Sequence, residues 1–201
     1  LAEHGQDVKL FDGLKSDLTG PGWFERIDAI GAKYGLEIEH YIISSGLEEM
    51  IDGCPIRDAF HHVFASKFAY DAAGHAIWPA VGVNYTTKTQ YLFRVNKGVL
   101  NHYDHERINR FMPDAERPVP FEHMVFIGDG STDIPCFRLI KDQGGLSVAV
   151  YPPGKKGAKN KAEKYRQDGR VHAVLSATYT DGSELDKLIK ARIDFVASRH
   201  A

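Results

Sequence analysis

Asp129 and Asp133 are two carboxylates, four residues apart, in a stretch whose pattern favours a ligand site, residues 122–137 (EHMVFIGDGSTDIPCF). The run 124–127 is continuously apolar, which predicts a buried strand of a parallel sheet, and Gly128 interrupts it. Carboxylate oxygens are hard ligands, of the kind that Mg²⁺ binds in proteins. Two of them placed directly after a strand therefore suggest a site for a cation.

A helix is expected to follow these carboxylates. Residues 131–133 are of N-cap types, and Pro135 suits a first helical turn. The end of a strand beside the start of a helix is where open α/β sheets bind ligands, and a helix N-terminus favours anions such as phosphate. The pair Asp129-Gly130 is also a common hairpin turn, but the pattern that follows it is helical rather than alternating.

A second polar group, Ser44-Ser45-Gly46, follows the predicted strand 36–43. Ser45 with Glu48 three residues later matches a capping box, which would assign Ser45 to the start of the next helix. Ser44 then remains as a hydroxyl that, with backbone N–H groups, can hold a phosphoryl oxygen. A serine at this position is equally compatible with a plain loop.

Lys88 lies in the first turn of a predicted helix that ends near Gly98. A cation there opposes the helix dipole, so the position calls for an anion. That anion is either a phosphate together with the carboxylates above or a surface glutamate. Lys97 lies near the helix end, where the dipole favours a cation, and the sequence alone leaves open which lysine serves a site.

Composition excludes several classes of function. The 201 residues are 43% hydrophobic with a net charge of −2, which allows a sizeable core and predicts neither a nucleic-acid nor a membrane partner. The lysines in 155–161 are expected to belong to a solvated loop or helix start. Cys54 and Cys136 are isolated, so we expect a reducing compartment and no zinc site. Without a signal peptide or membrane span, the protein is expected to be cytoplasmic.

Strands alternate with helices along most of the chain, which predicts an α/β fold with a parallel sheet. Two strand-like runs, 63–70 and 76–83, flank a turn and predict a hairpin, and Pro79 should place the second run at a sheet edge. The loop 102–106 (HYDHE) is a weaker candidate for a metal site.

Three motifs in order, IISSG around Ser44, TTKTQ around Lys88 and FIGDGSTD around Asp129, resemble the haloacid dehalogenase-like (HAD) superfamily, closest to its phosphoserine-phosphatase-like branch. The third motif is the specific one. The resemblance covers most of residues 8–198. It implies a HAD-like, Rossmannoid three-layer fold with a parallel central sheet and a β-hairpin. It also implies a Mg²⁺-dependent phosphomonoester hydrolase that acts through an aspartyl-phosphate on a small phosphorylated substrate.

The resemblance also implies roles for individual residues. Asp129 would coordinate Mg²⁺, and Asp133 would complete or orient the water shell of the metal. Ser44 would hydrogen-bond the phosphoryl group, with Ser45 and Gly46 as further substrate-binding residues. Lys88 would neutralise charge on the phosphate and on the attacking carboxylate, which stabilises a transferring phosphoryl group.

The first motif of the superfamily, D-x-D-x-[TV], which carries the nucleophile, is absent from this chain. Its nearest match is LFDGL at 10–14, where Asp12 mimics the second aspartate and Leu10 stands at the nucleophile's position. We instead interpret residues 1–12 as the end of a truncated helical cap or a connecting segment and residues 13–201 as the core domain.

On this interpretation the nucleophile lies upstream, and the 201-residue chain alone is expected to be inactive. The alternative is a catalytically inactive HAD-like protein that binds a phosphorylated ligand or a partner. A response-regulator-like or nucleotide-binding domain shares the carboxylates at a strand end, but it does not explain Ser44 and Lys88 in this order.

Overall fold

Helices and strands alternate along the chain in the computed structural model, which describes residues 1–18 and 20–199. The chain divides into two compact units. The first comprises residues 1–84 with 179–181, and the second comprises residues 85–178 with those from 182 onward. The predicted boundary at residue 12 stays a prediction.

Within its described residues, the first unit contains three α-helices and three strands, with a 3₁₀ turn at Arg57–Ala59. They are α1 (Ala2–Gly5), α2 (Trp23–Lys33), β1 (Tyr41–Leu47), α3 (Glu48–Asp52), β2 (His62–Tyr70) and β3 (Ala76–Val81). The strands form one sheet in the order β1-β2-β3, in which β1 and β2 are parallel and β2 and β3 form the predicted antiparallel hairpin. Pro79 lies on β3, an edge strand of this sheet, as predicted.

The predicted strand 36–43 is shifted along the chain, because β1 begins only at Tyr41 and continues to Leu47. The segment before it packs on α2 instead. A Cβ atom built on Gly31 would lie 2.4 Å from Ile38 Cγ1, so only a glycine lets this segment pass so close to the helix. His40 Nε2 also lies 2.7 Å from Asp28 Oδ1 on α2.

The described part of the second unit contains five α-helices and three strands, besides short 3₁₀ turns. They are α4 (Lys88–Lys97), α5 (His105–Asn109), β4 (Val125–Gly128), α6 (Ile134–Asp142), β5 (Leu146–Tyr151), α7 (Ala158–Gln167), β6 (Ala173–Ser176) and α8 (Glu184–Ser198). The three strands form a parallel sheet in the order β4-β5-β6, with Gly128 opposite Ala149 and Ala149 opposite Val174. A core cluster of Phe137, Ala149, Tyr165 and Val171 joins α6 and α7 to this sheet.

The α/β class with parallel strands is confirmed, and each unit carries its own three-stranded sheet. Within the described residues, β1 and β4 each pair with a strand on one side only. Residues 41–43 of β1 and 125–127 of β4 are apolar runs typical of strands buried on both faces, yet these residues are only half-buried here. An edge of each strand therefore offers unpaired backbone groups.

Candidate functional site

The turn between β4 and α6 carries both predicted carboxylates. β4 ends at Gly128, residues Ser131–Asp133 form a single 3₁₀ turn, and α6 begins at Ile134 with Pro135 in its first turn. The predicted order of strand, loop and helix is confirmed. Asp129 and Asp133 thus lie at the carboxyl end of a parallel strand and at the start of a helix.

Asp133 is 5% exposed, and both of its carboxylate oxygens are engaged. Its Oδ2 accepts the backbone N–H groups of Asp129 at 3.2 Å and Gly130 at 3.0 Å. Its Oδ1 accepts a hydrogen bond from Lys88 Nζ at 2.6 Å. Asp133 therefore fixes the backbone that carries Asp129 and at the same time holds the lysine.

Lys88 is the first residue of α4, as predicted, and it is 6% exposed. The anion that its position demands is the carboxylate of Asp133, with which it forms a buried ion pair. A buried pair of this kind gains little net stability, because both charges lose their hydration. Its geometry therefore fixes the ammonium group beside the β4–α6 turn more than it stabilises the fold.

Gly128 allows Asp133 to approach the end of β4. A Cβ atom built on Gly128 would lie 2.7 Å from Asp133 Oδ2 and 2.8 Å from its Cγ, closer than real contacts allow. At Gly130 the corresponding Cβ would be 3.6 Å from the same oxygen, an ordinary contact. Sequence reasoning treats Gly128 only as the end of a strand and misses this packing role.

Asp129 differs from Asp133 in its surroundings. Its side chain is exposed, and within the part of the chain that the structure describes its carboxylate has no hydrogen-bond or ion-pair partner. Its backbone N–H is held by Asp133, so the exposed carboxylate stands on a fixed backbone. The carboxylate of Asp129, the open carboxylate of this turn, is thus available to bind a cation.

Two side chains near the Lys88–Asp133 pair have raised pKa values. Burial, together with the charge of Asp133, raises the pKa of the Cys136 thiol to about 12, although Lys88 opposes the shift. Burial, then the charges of Asp133 and Asp129, raise the pKa of the Tyr165 phenol on α7. Tyr165 is a further residue near the Lys88–Asp133 pair. The sequence pattern does not identify it, because its position depends on how α7 packs.

Lys97, the other lysine considered for the site, serves a different part of the second unit. Its Nζ donates to the carbonyl oxygens of Ile108 at 2.8 Å and Arg110 at 2.9 Å. Within this unit, Lys88 is therefore the lysine that contacts a predicted site carboxylate.

Ser44, Ser45 and Gly46 belong to the first unit, where β1 runs through them to Leu47. The proposed capping box of Ser45 is wrong: α3 begins at Glu48 without a side-chain cap, because pairing with β2 continues to Leu47 opposite Ser66. Ser44 Oγ accepts the N–H of Gly46 at 3.0 Å. Since a hydroxyl also carries a proton, Ser44 keeps a donor for a ligand.

Residues 1–18 and 20–199 contain no group of three or more His, Cys, Asp or Glu side chains arranged to hold a metal ion. In the weaker candidate, residues 102–106, Asp104 caps α5 by accepting the N–H of Arg107 at 2.9 Å. Its carboxylate thus has a helix-capping role. A cation at Asp129 would need further ligands beyond this carboxylate and water.

Comparison with known proteins gives no function. No family model matches the chain. A protein of Borreliella burgdorferi, described only as uncharacterized, is 29% identical over 209 residues, an alignment that covers 94% of this chain and 68% of that protein. Among the described helices, none combines the length and apolar character needed to cross a lipid bilayer.

Proposed function

We propose that this protein is a Mg²⁺-dependent phosphomonoester hydrolase of the HAD-like class, with the three-layer fold of that class, in which an aspartate outside residues 1–201 forms the aspartyl-phosphate. The observation that carries the proposal is the buried Lys88–Asp133 pair beside the exposed carboxylate of Asp129. The order of the three resembling motifs supports it. The small phosphorylated substrate and the cytoplasmic location belong to the same proposal.

Each candidate site residue of the second unit has a separate proposed role. Asp129 fits a cation because its carboxylate is exposed and has no partner within the described chain. Asp133 acts by positioning, since its oxygens already hold Lys88 and two backbone N–H groups. Bound Mg²⁺ would neutralise phosphoryl oxygens and orient them. Lys88 would stabilise the charge that develops on the transferring group.

On the motif resemblance, Ser44 would donate its hydroxyl proton to a phosphoryl oxygen. Residues 10–14, which contain the nearest match to the first motif, lie in no strand, and the carbonyl oxygen of Asp12 accepts the N–H of Tyr179 at 2.8 Å. Asp12 therefore lacks the strand-end position of a catalytic aspartate. The edge of β4 that is unpaired within the described residues supports a further parallel strand, which would carry D-x-D-x-[TV].

Hydrolysis of a panel of phosphomonoesters by the natural full-length protein, with and without Mg²⁺, tests the proposal. We expect hydrolysis that requires Mg²⁺ and that Asp129→Asn lowers about 100-fold or more, because a hard anionic ligand is lost. Asp194→Asn, at an exposed position on α8, is the matched control and should leave the rate unchanged.

The intact mass and N-terminal sequence of the same natural protein test the source of the nucleophile. A D-x-D-x-[TV] segment upstream of Leu1, together with no turnover by the 201-residue chain, is the expected result. Hydrolysis by the pure 201-residue chain would contradict it. Phosphate binding that Asp129→Asn weakens, without hydrolysis by the natural protein, would instead favour the inactive binding protein.

A further inference from the structure

The loop after β5 and the first turn of α7 together carry a dense cluster of positive charge, with Lys155 and Lys156 in the loop and Lys159 and Lys161 in the helix. Lysines stand at four of the seven positions in 155–161, and no acidic residue occurs from 152 to 162. All four side chains are exposed, and within the described residues none of them forms an ion pair. The next acidic residue, Glu163, is paired with Arg166. This lysine loop, residues 152–161, is therefore an uncompensated cationic patch in a chain whose net charge is −2.

The register of the sheet places the lysine loop at the same edge as Asp129. β4 and β5 are parallel neighbours with Gly128 opposite Ala149, so Asp129 and Tyr151 leave the sheet in the same direction. Neighbouring strands lie about 4.8 Å apart. The chain from Tyr151 to Lys155 spans at most about 14 Å when extended. Lys155 and Asp129 therefore follow neighbouring strands at the same edge of the sheet.

The helix α7, whose first turn carries the last two lysines of the lysine loop, packs against α6, the helix that follows Asp133. Tyr165 on α7 packs against Phe137 of α6, with 5.9 Å between the ring centroids, and shares a core cluster with Ala149 of β5. The raised pKa of Tyr165, caused by burial and then by the charges of Asp133 and Asp129, is consistent with this proximity. The cationic loop and the β4–α6 turn thus belong to one packed region of the second unit.

We propose that the lysine loop binds a second anionic group of the substrate, so that the preferred substrates are small phosphomonoesters that carry an additional phosphate or carboxylate. This inference rests on the proposed hydrolase function. Lysine suits the task because an ammonium group binds an anion as a point charge without a fixed orientation. A patch of four lysines matches one small anion, whereas nucleic-acid binding relies on more extended phosphate contacts.

Binding to the natural full-length protein without Mg²⁺ tests the inference, measured by calorimetry with two matched probe pairs. Fructose 1,6-bisphosphate and fructose 6-phosphate test a second phosphate, and 3-phosphoglycerate and glycerol 3-phosphate test a carboxylate. We expect the doubly anionic member of at least one pair to bind about 10-fold more tightly, the effect of one charge-assisted contact. The pair that shows the preference identifies the second anion.

The variant Lys155→Gln with Lys156→Gln should reduce this preference to about 3-fold or less, because charge is removed without a loss of length. Lys187→Gln on α8, at an exposed position in the same unit, is the control and should retain the preference. Both substituted loop positions are exposed, so the fold should tolerate them.

The inference and the proposed hydrolase function fail in different ways. Lysine-dependent preference without Mg²⁺-dependent hydrolysis would support the anion site and contradict the enzyme. Hydrolysis that needs Asp129, with no lysine-dependent binding of either doubly anionic probe, would overturn the anion site alone. Tighter binding of a 20-nucleotide single-stranded DNA than of either probe, lost in the double variant, would overturn it in favour of a nucleic acid.

Discussion

Asp133 couples the two parts of the candidate site through one carboxylate. One oxygen fixes the backbone of Asp129 and Gly130, and the other holds the ammonium group of Lys88. A displacement of this side chain would therefore move the open carboxylate and the lysine together. Asp133 is therefore a positioning residue, and the effect of replacing it would combine the loss of several hydrogen bonds.

Lys88→Met should destabilise the fold, because it leaves the carboxylate of Asp133 buried without its cation. Breaking such a pair costs about 3–5 kcal/mol in the free energy of unfolding. Urea unfolding of the variant measures the loss. Adding Asp133→Asn to Lys88→Met should recover about 1 kcal/mol or more, because the buried charge is then removed. A loss below about 1 kcal/mol for Lys88→Met would show that the pair is not buried as described.

Gly128→Ala should displace Asp133, since the new methyl group would lie within 3 Å of its carboxylate. Overpacking of this kind costs about 1–3 kcal/mol, and we expect a corresponding drop in the urea midpoint. Gly130→Ala is the matched control, with its Cβ no closer than 3.5 Å to the neighbouring side chains. Equal midpoints for the two variants would contradict the assigned role of Gly128.

The sequence predicts the main residues of this turn because their positions follow from local patterns. A strand end followed by a helix start suffices to predict that Asp129 and Asp133 lie close together. The helix dipole predicts that Lys88 has an anionic partner. Such local patterns do not predict the roles of Gly128 and Tyr165. Their roles depend on which side chains meet after folding, and residue type alone carries no such information.

At the scale of elements, α4 organises the segment that follows it. Arg94 is 3% exposed and its guanidinium donates to the carbonyl oxygens of Asn101 at 2.6 Å and His102 at 2.9 Å. Lys97 holds the carbonyl oxygens of Ile108 and Arg110 in the same way. Two cations at the end of one helix thus satisfy the carbonyl groups of a long irregular connection.

Arg94→Met should loosen residues 99–110 while leaving β4 and β5 intact. Loss of the guanidinium leaves carbonyl oxygens unsatisfied, at about 1–3 kcal/mol for each buried group. Hydrogen exchange should therefore accelerate in this segment. Arg138→Met, which removes an exposed pair with Asp142 on α6, is the control and should change exchange little. Unchanged protection of 99–110 in Arg94→Met would refute this role.

Elements with a strong periodic or continuous pattern were predictable, and those shaped by packing were not. A continuous apolar run determines β5, and an amphipathic pattern determines α7, so both elements follow from the local sequence. The segment 36–40 alternates like a strand, yet it packs on α2 because Gly31 leaves room for Ile38. Ser45 has the spacing of a helix N-cap, but pairing with β2 continues through this segment to Leu47, so no side-chain cap forms.

At the scale of the whole molecule, each unit contains a histidine that is harder to protonate when folded. Burial, then the charges of Arg57, His61 and Lys67, lower the pKa of His62 in the first unit. Partial loss of hydration, then the charges of Lys141 and Arg192, lower the pKa of His172 in the second unit, where Nδ1 accepts the N–H of Ser147 at 3.1 Å. Protonation at Nδ1 would remove that hydrogen bond.

The sign of the resulting pH dependence follows from proton linkage. In the unfolded chain both histidines take up a proton near their ordinary pKa of about 6.5, whereas in the folded chain they do so only at lower pH. The unfolded state therefore binds more protons below about pH 6.5, and the free energy of unfolding falls as the pH is lowered. The contribution of these histidines to stability is complete above that pH and is lost on acidification through their folded pKa values.

Urea unfolding between pH 7.5 and 5.5 should accordingly show a midpoint that declines with acidification. His62→Gln combined with His172→Asn should flatten this decline, because neither replacement titrates in that window, whereas His4→Gln, at an exposed position in α1, should leave the slope unchanged. Each single variant should remove part of the slope, since the two histidines lie in separate units and titrate on their own. An equally steep decline in the double variant would mean that other groups govern the acid sensitivity of the molecule.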